Sequence, residues 1–281
     1  MNKQIRIFFT TLTMVACIAI GNVIAKSLGE ETEQQTAKTE KQPSRQQQEK
    51  TGIQTDLLMQ HAKESASNIL LQRTAYTVLY SKDLRLPVWV AWCLTADHTS
   101  GPFKRQKMKF AEDMDVPAPR ATNLDYINSG YDRGHMCPSG DNQWSETVQV
   151  ESFLYTNCCP QLHNLNAGDW EELESQCRDW ANKYGEIYIA CGPVLLNKKH
   201  KTIGKNKIVV PEAFFKVVLC MQDTPKAIGF IYRNERNNKT MSSYVNTIDQ
   251  VEKITGIDFF PSLPDDIENR IEAHADLEEW D

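Results

Sequence analysis

The sequence predicts an α+β fold, a largely antiparallel β-sheet core with packed helices, and three observations carry that expectation. Runs rich in β-branched and aromatic residues recur at residues 76–80, 86–94, 186–190, 213–219 and 227–232. Apolar residues at helical spacing mark two amphipathic segments, near 170–184 and 245–254. The two kinds of segment are interspersed without the regular βα alternation of a doubly wound parallel sheet.

The chain has 281 residues, and its first fifty are unlike the rest. Lys3 and Arg6 precede an apolar run over residues 7–25, and Val23-Ile24-Ala25 stands before Lys26 with short side chains at the positions a cleavage site needs. Residues 1–25 are therefore expected to be an export signal peptide, placing the mature protein in a periplasm or outside the cell. The run is nearly long enough to span a bilayer, so an uncleaved membrane anchor is the alternative. Residues 26–54 are dominated by Glu, Gln, Lys, Thr and Ser, which cannot bury enough apolar surface to offset their ordering entropy. A disordered polar linker is expected there, followed by one domain over 55–281.

Within that domain, a helix-like segment is expected at 57–71 and a hairpin of two strands at 76–80 and 86–94. Residues 100–128 read as a long irregular loop, a length usually tied to function or disorder. Trp170, Leu173, Cys177, Trp180 and Tyr184 form one helical stripe, with Asn166 projecting onto it at the helix start. A polar amide heading that stripe needs a partner, either the free amides of the helix as an N-cap or a bound group. A strand at 186–190 ends at Cys191-Gly192-Pro193, and Pro211 splits the strand-forming residues 208–219. Ser242 or Ser243 is expected to cap a last helix carrying Val245, Ile248, Val251 and Ile254, which Gly256 stops.

The densest polar chemistry is Asp132-Arg133-Gly134-His135. Arg presents a planar fork of donors to phosphate or carboxylate, and His, with an ordinary pKa of about 6.5, takes and returns protons near neutrality. Taken alone, the four residues are equally a solvated turn. Net charge is −6, which for the whole chain speaks against a nucleic-acid partner, but residues 264–281 hold eight carboxylates and one Arg. Lys104-Arg105-Gln106-Lys107-Met108-Lys109 and Lys198-Lys199-His200-Lys201, with Lys205 and Lys207, are basic clusters that read either as solvated faces or as anion contacts. Of eight cysteines, seven remain after a signal is removed, and in an oxidising compartment some of them should pair.

With these residues in place the chain resembles the DNA/RNA non-specific endonuclease family, the ββα-metal or His-Me finger nucleases. The likeness runs from about Tyr76 to Phe260 and rests on Asp132-Arg133-Gly134-His135, then Asn157-x-x-Pro160-Gln161, Asn166, Trp170-x-x-Leu173-Glu174 and the strand ending Gly192-Pro193. The resemblance implies a ββα-metal active-site motif and hydrolysis of DNA or RNA phosphodiesters. His135 matches the general base, Arg133 an arginine near the scissile phosphate, Asn166 a metal-binding amide, Glu174 an acidic residue on the metal-bearing helix and Asn157 a supporting polar residue. Arg105, with Arg120 behind it, matches a further phosphate-binding arginine. The implied cofactor is Mg²⁺, with Mn²⁺ or another divalent cation as alternatives, and no small-molecule cofactor is expected. Eight positions separate Asn166 from Glu174, a rotation of about 80° on a helix, near enough to share a metal's outer shell. Read locally, Glu174 is equally an exposed helix carboxylate. Met136-Cys137-Pro138 and Cys158-Cys159 depart from the family pattern. Two rival readings stand beside this one: a structural zinc site drawn from His135, Cys137, Cys158, Cys159 and His163, and a non-catalytic nucleic-acid-binding module on the same fold.

Overall fold

The computed structural model describes residues 56–236 and 239–281, which belong to one compact unit. The expected export segment and the whole of the expected linker lie outside the described residues. In chain order the strands are β1 His61–Ala62, β2 Asn68–Gln72, β3 Thr77–Ser81, β4 Leu86–Thr95, β5 Asp132–His135, β6 Cys158–Gln161 and β7 Glu186–Val194. They continue as β8 Thr202–Ile203, β9 Ile208–Val209, β10 Ala213–Cys220, β11 Lys226–Arg233, β12 Val245–Asn246 and β13 Ile257–Asp258. The helices are α1 Asn123–Tyr126, α2 Glu146–Ser152, α3 Trp170–Tyr184, α4 Ile248–Thr255 and α5 Asp265–Glu272.

Seven strands form the central sheet in the order β12-β11-β10-β7-β4-β3-β2, each pairing antiparallel. The fold is α+β, as the irregular element order predicts. Alternation within β4 shows how the sheet divides the core. Val90, Trp92 and Leu94 face the apolar layer that contains Trp170, Leu173, Cys177 and Trp180 of α3, whereas Trp89 and Ala91 face the layer holding Ile248 and Val251 of α4 and Ile271 of α5. Both faces being covered, β10 is buried at every position, Lys216 included.

Several local expectations need correction. Residues 57–71 are not helical: Asn68–Gln72 is the sheet's edge strand, with Leu71 opposite Val78. A short apolar run does not distinguish strand from helix, and the neighbouring strand decided it. Strand β7 does not end at Cys191 but continues to Val194. Pro193 is tolerated because β4 pairs with β7 only as far as Cys191, so Pro193 lies opposite β10 alone. Gly192 is required by close approach, since a Cβ there would lie 2.6 Å from the Val88 carbonyl oxygen. The cap of α4 is Thr247, not Ser242 or Ser243: Gln250 N–H donates to Thr247 Oγ1 at 3.2 Å and Thr247 N–H to Gln250 Oε1 at 3.0 Å. Val245 is drawn into β12 opposite Phe230. The acidic C-terminal stretch is packed, with Trp280 buried against Trp180 at 4.7 Å between ring centroids.

The seven cysteines of the domain are free thiols, which corrects the expectation of disulfides. All but Cys93 are buried and behave as small core residues with local partners. Cys137 Sγ accepts from Asn142 Nδ2 at 3.2 Å, and the Cys191 thiol donates to the Met136 carbonyl at 3.2 Å.

Candidate active site

A two-stranded ribbon carries the motif. Strand β5 pairs antiparallel with β6 in the register Asp132↔Gln161, Arg133↔Pro160, Gly134↔Cys159 and His135↔Cys158. The polar tetrapeptide is thus a strand rather than a turn. Gly134 is needed there because Gln161 folds across it, and a Cβ would meet Gln161 Oε1 at 2.1 Å. Period-2 alternation then sends Arg133 and Asp132 to opposite faces of the ribbon.

His135 is only 6% exposed, its ring 4.8 Å from Phe153 in an edge contact and 5.0 Å from Phe110. Its Nε2 is buried without a hydrogen-bond partner. Burial, reinforced by the Arg105 charge, pushes the imidazole pKa down to about 3, so the ring is neutral and able to accept a proton. The sign of the linkage follows: the neutral ring's contribution to stability is complete above the ordinary value of about 6.5 and is lost as pH falls towards about 3. In nitrogen-detected NMR spectra recorded from about pH 8 to about pH 5, the His135 ring should keep neutral chemical shifts; a midpoint near the ordinary value would contradict its enclosure.

Arg133 is held in place by groups that leave one edge of its fork open. Nε donates to Tyr155 Oη at 3.2 Å and Nη2 to Asn123 Oδ1 at 2.6 Å, and the guanidinium lies 5.4 Å from the Tyr126 ring and 5.8 Å from the Phe110 ring. Arg105 is exposed on a short turn, and its charge acts on both His135 and Cys158. Arg120, the second candidate, is occupied in holding the loop, with Nε on Glu112 at 3.1 Å and Nη1 on the Val116 carbonyl at 2.9 Å.

Asn166 lies before the helix, not on it. Residues Leu165–Asp169 form one wide turn whose backbone leaves helical geometry at Ala167 and Gly168, and α3 begins at Trp170. The projection of Asn166 onto the helical stripe, and the rotation linking it to Glu174, therefore fail, because Gly168 adopts φ −130° and ψ −115°. Asp132 Oδ2 accepts from Asn166 Nδ2 at 3.0 Å and contacts His163 Nδ1 at 2.8 Å. A carboxylate only accepts, so it fixes which way the amide points and turns Asn166 Oδ1 away. That oxygen makes no hydrogen bond among the described residues.

Asn157 is fully buried and spent on the backbone. Its Oδ1 accepts from Cys137 N–H, and its Nδ2 donates to the Cys137 and Ser152 carbonyls, all at 2.8 Å. It ties down the chain leaving β5 and has no group left for substrate. Replacing it with alanine leaves those three groups unpaired, and urea denaturation should register a loss of about 2–4 kcal/mol.

Glu174 faces a different set of charges. Burial pushes its carboxyl up to about 7, against the pull of Lys216 and Arg178. Lys216 Nζ is buried 4.5 Å from the Trp170 ring and 5.6 Å from the Trp92 ring. Asp141 completes the group, accepting from Trp92 Nε1 and Arg178 Nη1 at 3.1 Å each. Neither Asn166 nor His135 is hydrogen-bonded to Glu174 among the described residues. A lysine inside the apolar run of β10 was the readable signal for this cluster. No comparable signal marked Asn123 and Tyr155 as the holders of Arg133.

The donor set near Asn166, one outward amide oxygen beside an acceptor-rich carboxylate, suits a hard cation that keeps most of its water. The zinc alternative lacks its ligand group: among the described residues, the side chains gathered closely enough for one ion are Asp249, Glu252 and Glu272, far in sequence from the ribbon. Cys158 and Cys159 are successive residues of β6 and point to opposite faces.

The family model described as DNA/RNA non-specific endonuclease matches residues 53–266. The chain is 33% identical over 207 residues to "Nuclease EXOG, mitochondrial" of Xenopus laevis, an alignment covering 68% of this chain and 58% of that protein. It is 32% identical over 225 residues to "Nuclease C1" of Cunninghamella echinulata var. echinulata, covering 74% and 89%. A solved structure described as the EndoG/EndoGI complex superposes with a TM-score of 0.68 at 26% identity, over 79% of this chain and 94% of that one. The alignments span 58%, 60% and 56% of the EXOG nucleases of Xenopus laevis, Danio rerio and Mus musculus.

Proposed function

The chain belongs to the DNA/RNA non-specific endonuclease family, and we propose that it hydrolyses phosphodiester bonds within DNA and RNA without reading their sequence. The observation that carries this reading is the neutral, enclosed His135 on the same ribbon as the oriented Arg133, with the Asn166 amide turned outward by Asp132.

A water molecule beside His135 gives its proton to the neutral imidazole while its oxygen attacks phosphorus in line with the departing 3′ oxygen. General-base help of this kind contributes typically 10²–10⁴-fold. Arg133 meets the growing negative charge with the open edge of its guanidinium, whose orientation Asn123 and Tyr155 set beforehand. Arg105 adds positive charge on the same side and helps to keep His135 unprotonated. A divalent cation, which we take to be Mg²⁺, would be held through Asn166 Oδ1 and would polarise a phosphate oxygen and the leaving oxygen. Glu174, which neighbours Lys216, Asp141 and Arg178, would belong to its outer shell only as the family resemblance implies. Asn157 acts as a positioning residue. Because these groups address phosphate and not base edges, low sequence specificity follows. Export is proposed from Lys3, Arg6 and the apolar residues 7–25, and the N-terminal sequence of the mature chain tests it.

Incubation of the purified chain with closed circular plasmid and with single-stranded RNA, in Mg²⁺ and in EDTA, tests the reading. The expected result is internal cleavage of both in Mg²⁺ and of neither in EDTA, with heterogeneous sequences at the new ends. Intact substrates under Mg²⁺ and Mn²⁺ alike would reject the hydrolase.

A further inference from the structure

The lysines at positions 198–207 play no part in the chemistry above, yet they are mounted against its two flanks. Strands β8 and β9 form a small antiparallel hairpin whose turn spans Gly204 to Lys207. Asp125 of α1, 2% exposed, grips that turn by accepting from Asn206 N–H and Asn206 Nδ2 at 2.9 Å each, while Thr122 N–H and Oγ1 donate to the same carboxylate at 2.9 and 2.8 Å. Burial works to raise the Asp125 carboxyl, but these donors outweigh it and hold it below its ordinary value. Gly204 has φ +64°, and a Cβ there would lie 2.2 Å from Asp125 Oδ1, so the turn seats closely only with glycine.

Helix α1 is also the element whose Asn123 holds Arg133. On the other flank Lys201 Nζ donates to Tyr131 Oη at 3.2 Å and lies 4.8 Å from the Tyr131 ring, and Tyr131 directly precedes Asp132. The hairpin is therefore fixed to the residues beside the scissile-phosphate site at two points. Lys201, Lys205 and Lys207 are exposed, and none has a carboxylate within ion-pair distance among the described residues. The acid nearest in sequence, Glu212, is taken by His200 at 3.0 Å. An ordinary solvated face does not need a buried carboxylate and a close-packed glycine to fix its position.

We propose that Lys201, Lys205 and Lys207 form a phosphate-tracking surface that binds the nucleic-acid backbone beyond the scissile bond. The proposal rests on the hydrolase reading above and extends it from one phosphate to several. Each phosphate neutralised on duplex DNA releases counterions and contributes about −0.9 to the slope of log affinity against log salt concentration. Three such contacts predict a slope change of about 2.7.

The test uses the full chain carrying His135→Ala, so that substrate survives, and follows the fluorescence anisotropy of a labelled duplex of about 20 base pairs across a salt series. The triple substitution Lys201→Gln, Lys205→Gln, Lys207→Gln should weaken binding roughly 10- to 100-fold at low salt and make the slope shallower by about 2–3. Its melting temperature should fall only slightly, because Asp125, Asn206 and Gly204 are untouched and only the exposed Lys201–Tyr131 contact is lost. Unchanged affinity and slope, with the unmodified chain still cleaving plasmid, would overturn the lysine surface alone. Absence of both duplex binding and plasmid cleavage would overturn it together with the hydrolase reading. Binding of an acidic protein by the parent but not by the triple variant, with duplex affinity equal in the two, would assign the surface to another partner and overturn it as well.

Discussion

Replacing His135 with alanine should lower plasmid cleavage about 10²–10⁴-fold in kcat, with KM little changed. The imidazole is enclosed by Phe110 and Phe153 and held neutral, so the proposed role predicts a loss in proton transfer rather than in substrate affinity. Single-turnover rates at saturating Mg²⁺ are the measurement. Removing the ring also removes a buried, unpaired Nε2, so the stability change combines a lost aromatic contact with relief of an unsatisfied polar atom. A variant that cleaved at the parental rate would exclude His135 from the base role whatever its stability.

Asn166→Ala should raise the Mg²⁺ concentration needed for half-maximal cleavage by at least tenfold. The same shift, smaller in size, is expected from Asp132→Ala. Asp132 touches no substrate in this reading; it sets the direction of the Asn166 amide through the 3.0 Å bond from Nδ2, and loss of such outer partners typically costs 10–100-fold in metal affinity. Direct titration of Mn²⁺ binding by electron paramagnetic resonance separates a metal defect from a catalytic one. If both variants bind Mn²⁺ as the parent does, Asn166 is not the ligand. If only Asp132→Ala binds normally, Asn166 orients itself without help.

The polar chemistry of the site was legible in the chain because it is local. Asp132, Arg133, Gly134 and His135 are consecutive, and the later Asn157, Pro160, Gln161 and Asn166 follow at fixed intervals that only a shared family pattern links to them. The sheet was legible for a similar reason: β3, β4, β10 and β11 are long enough for their side-chain period to speak. Short elements were not. Asn68–Gln72 has the composition of a helix end or a strand, and Val245 belongs to a strand of two residues beside a true helix. Their state is settled by which partner lies alongside, and that partner is distant in sequence.

Residue types and spacings determined the α+β class, and the family resemblance they support marked His135, Arg133 and Asn166 as candidates for base, phosphate contact and metal ligand. Only the tertiary structure decided what each can do. His135 is neutral because Phe110, Phe153 and Arg105, none of them adjacent in the chain, enclose and repel its proton. Asn166 points outward because Asp132, thirty-four residues earlier, accepts from its amide nitrogen. The basic hairpin stands beside the site because Asp125 grips Asn206 across eighty-one residues of chain. Side-chain identity is written in the sequence, but protonation, amide direction and the field at a phosphate are set by neighbours in space, through burial and hydrogen bonds that no local spacing records.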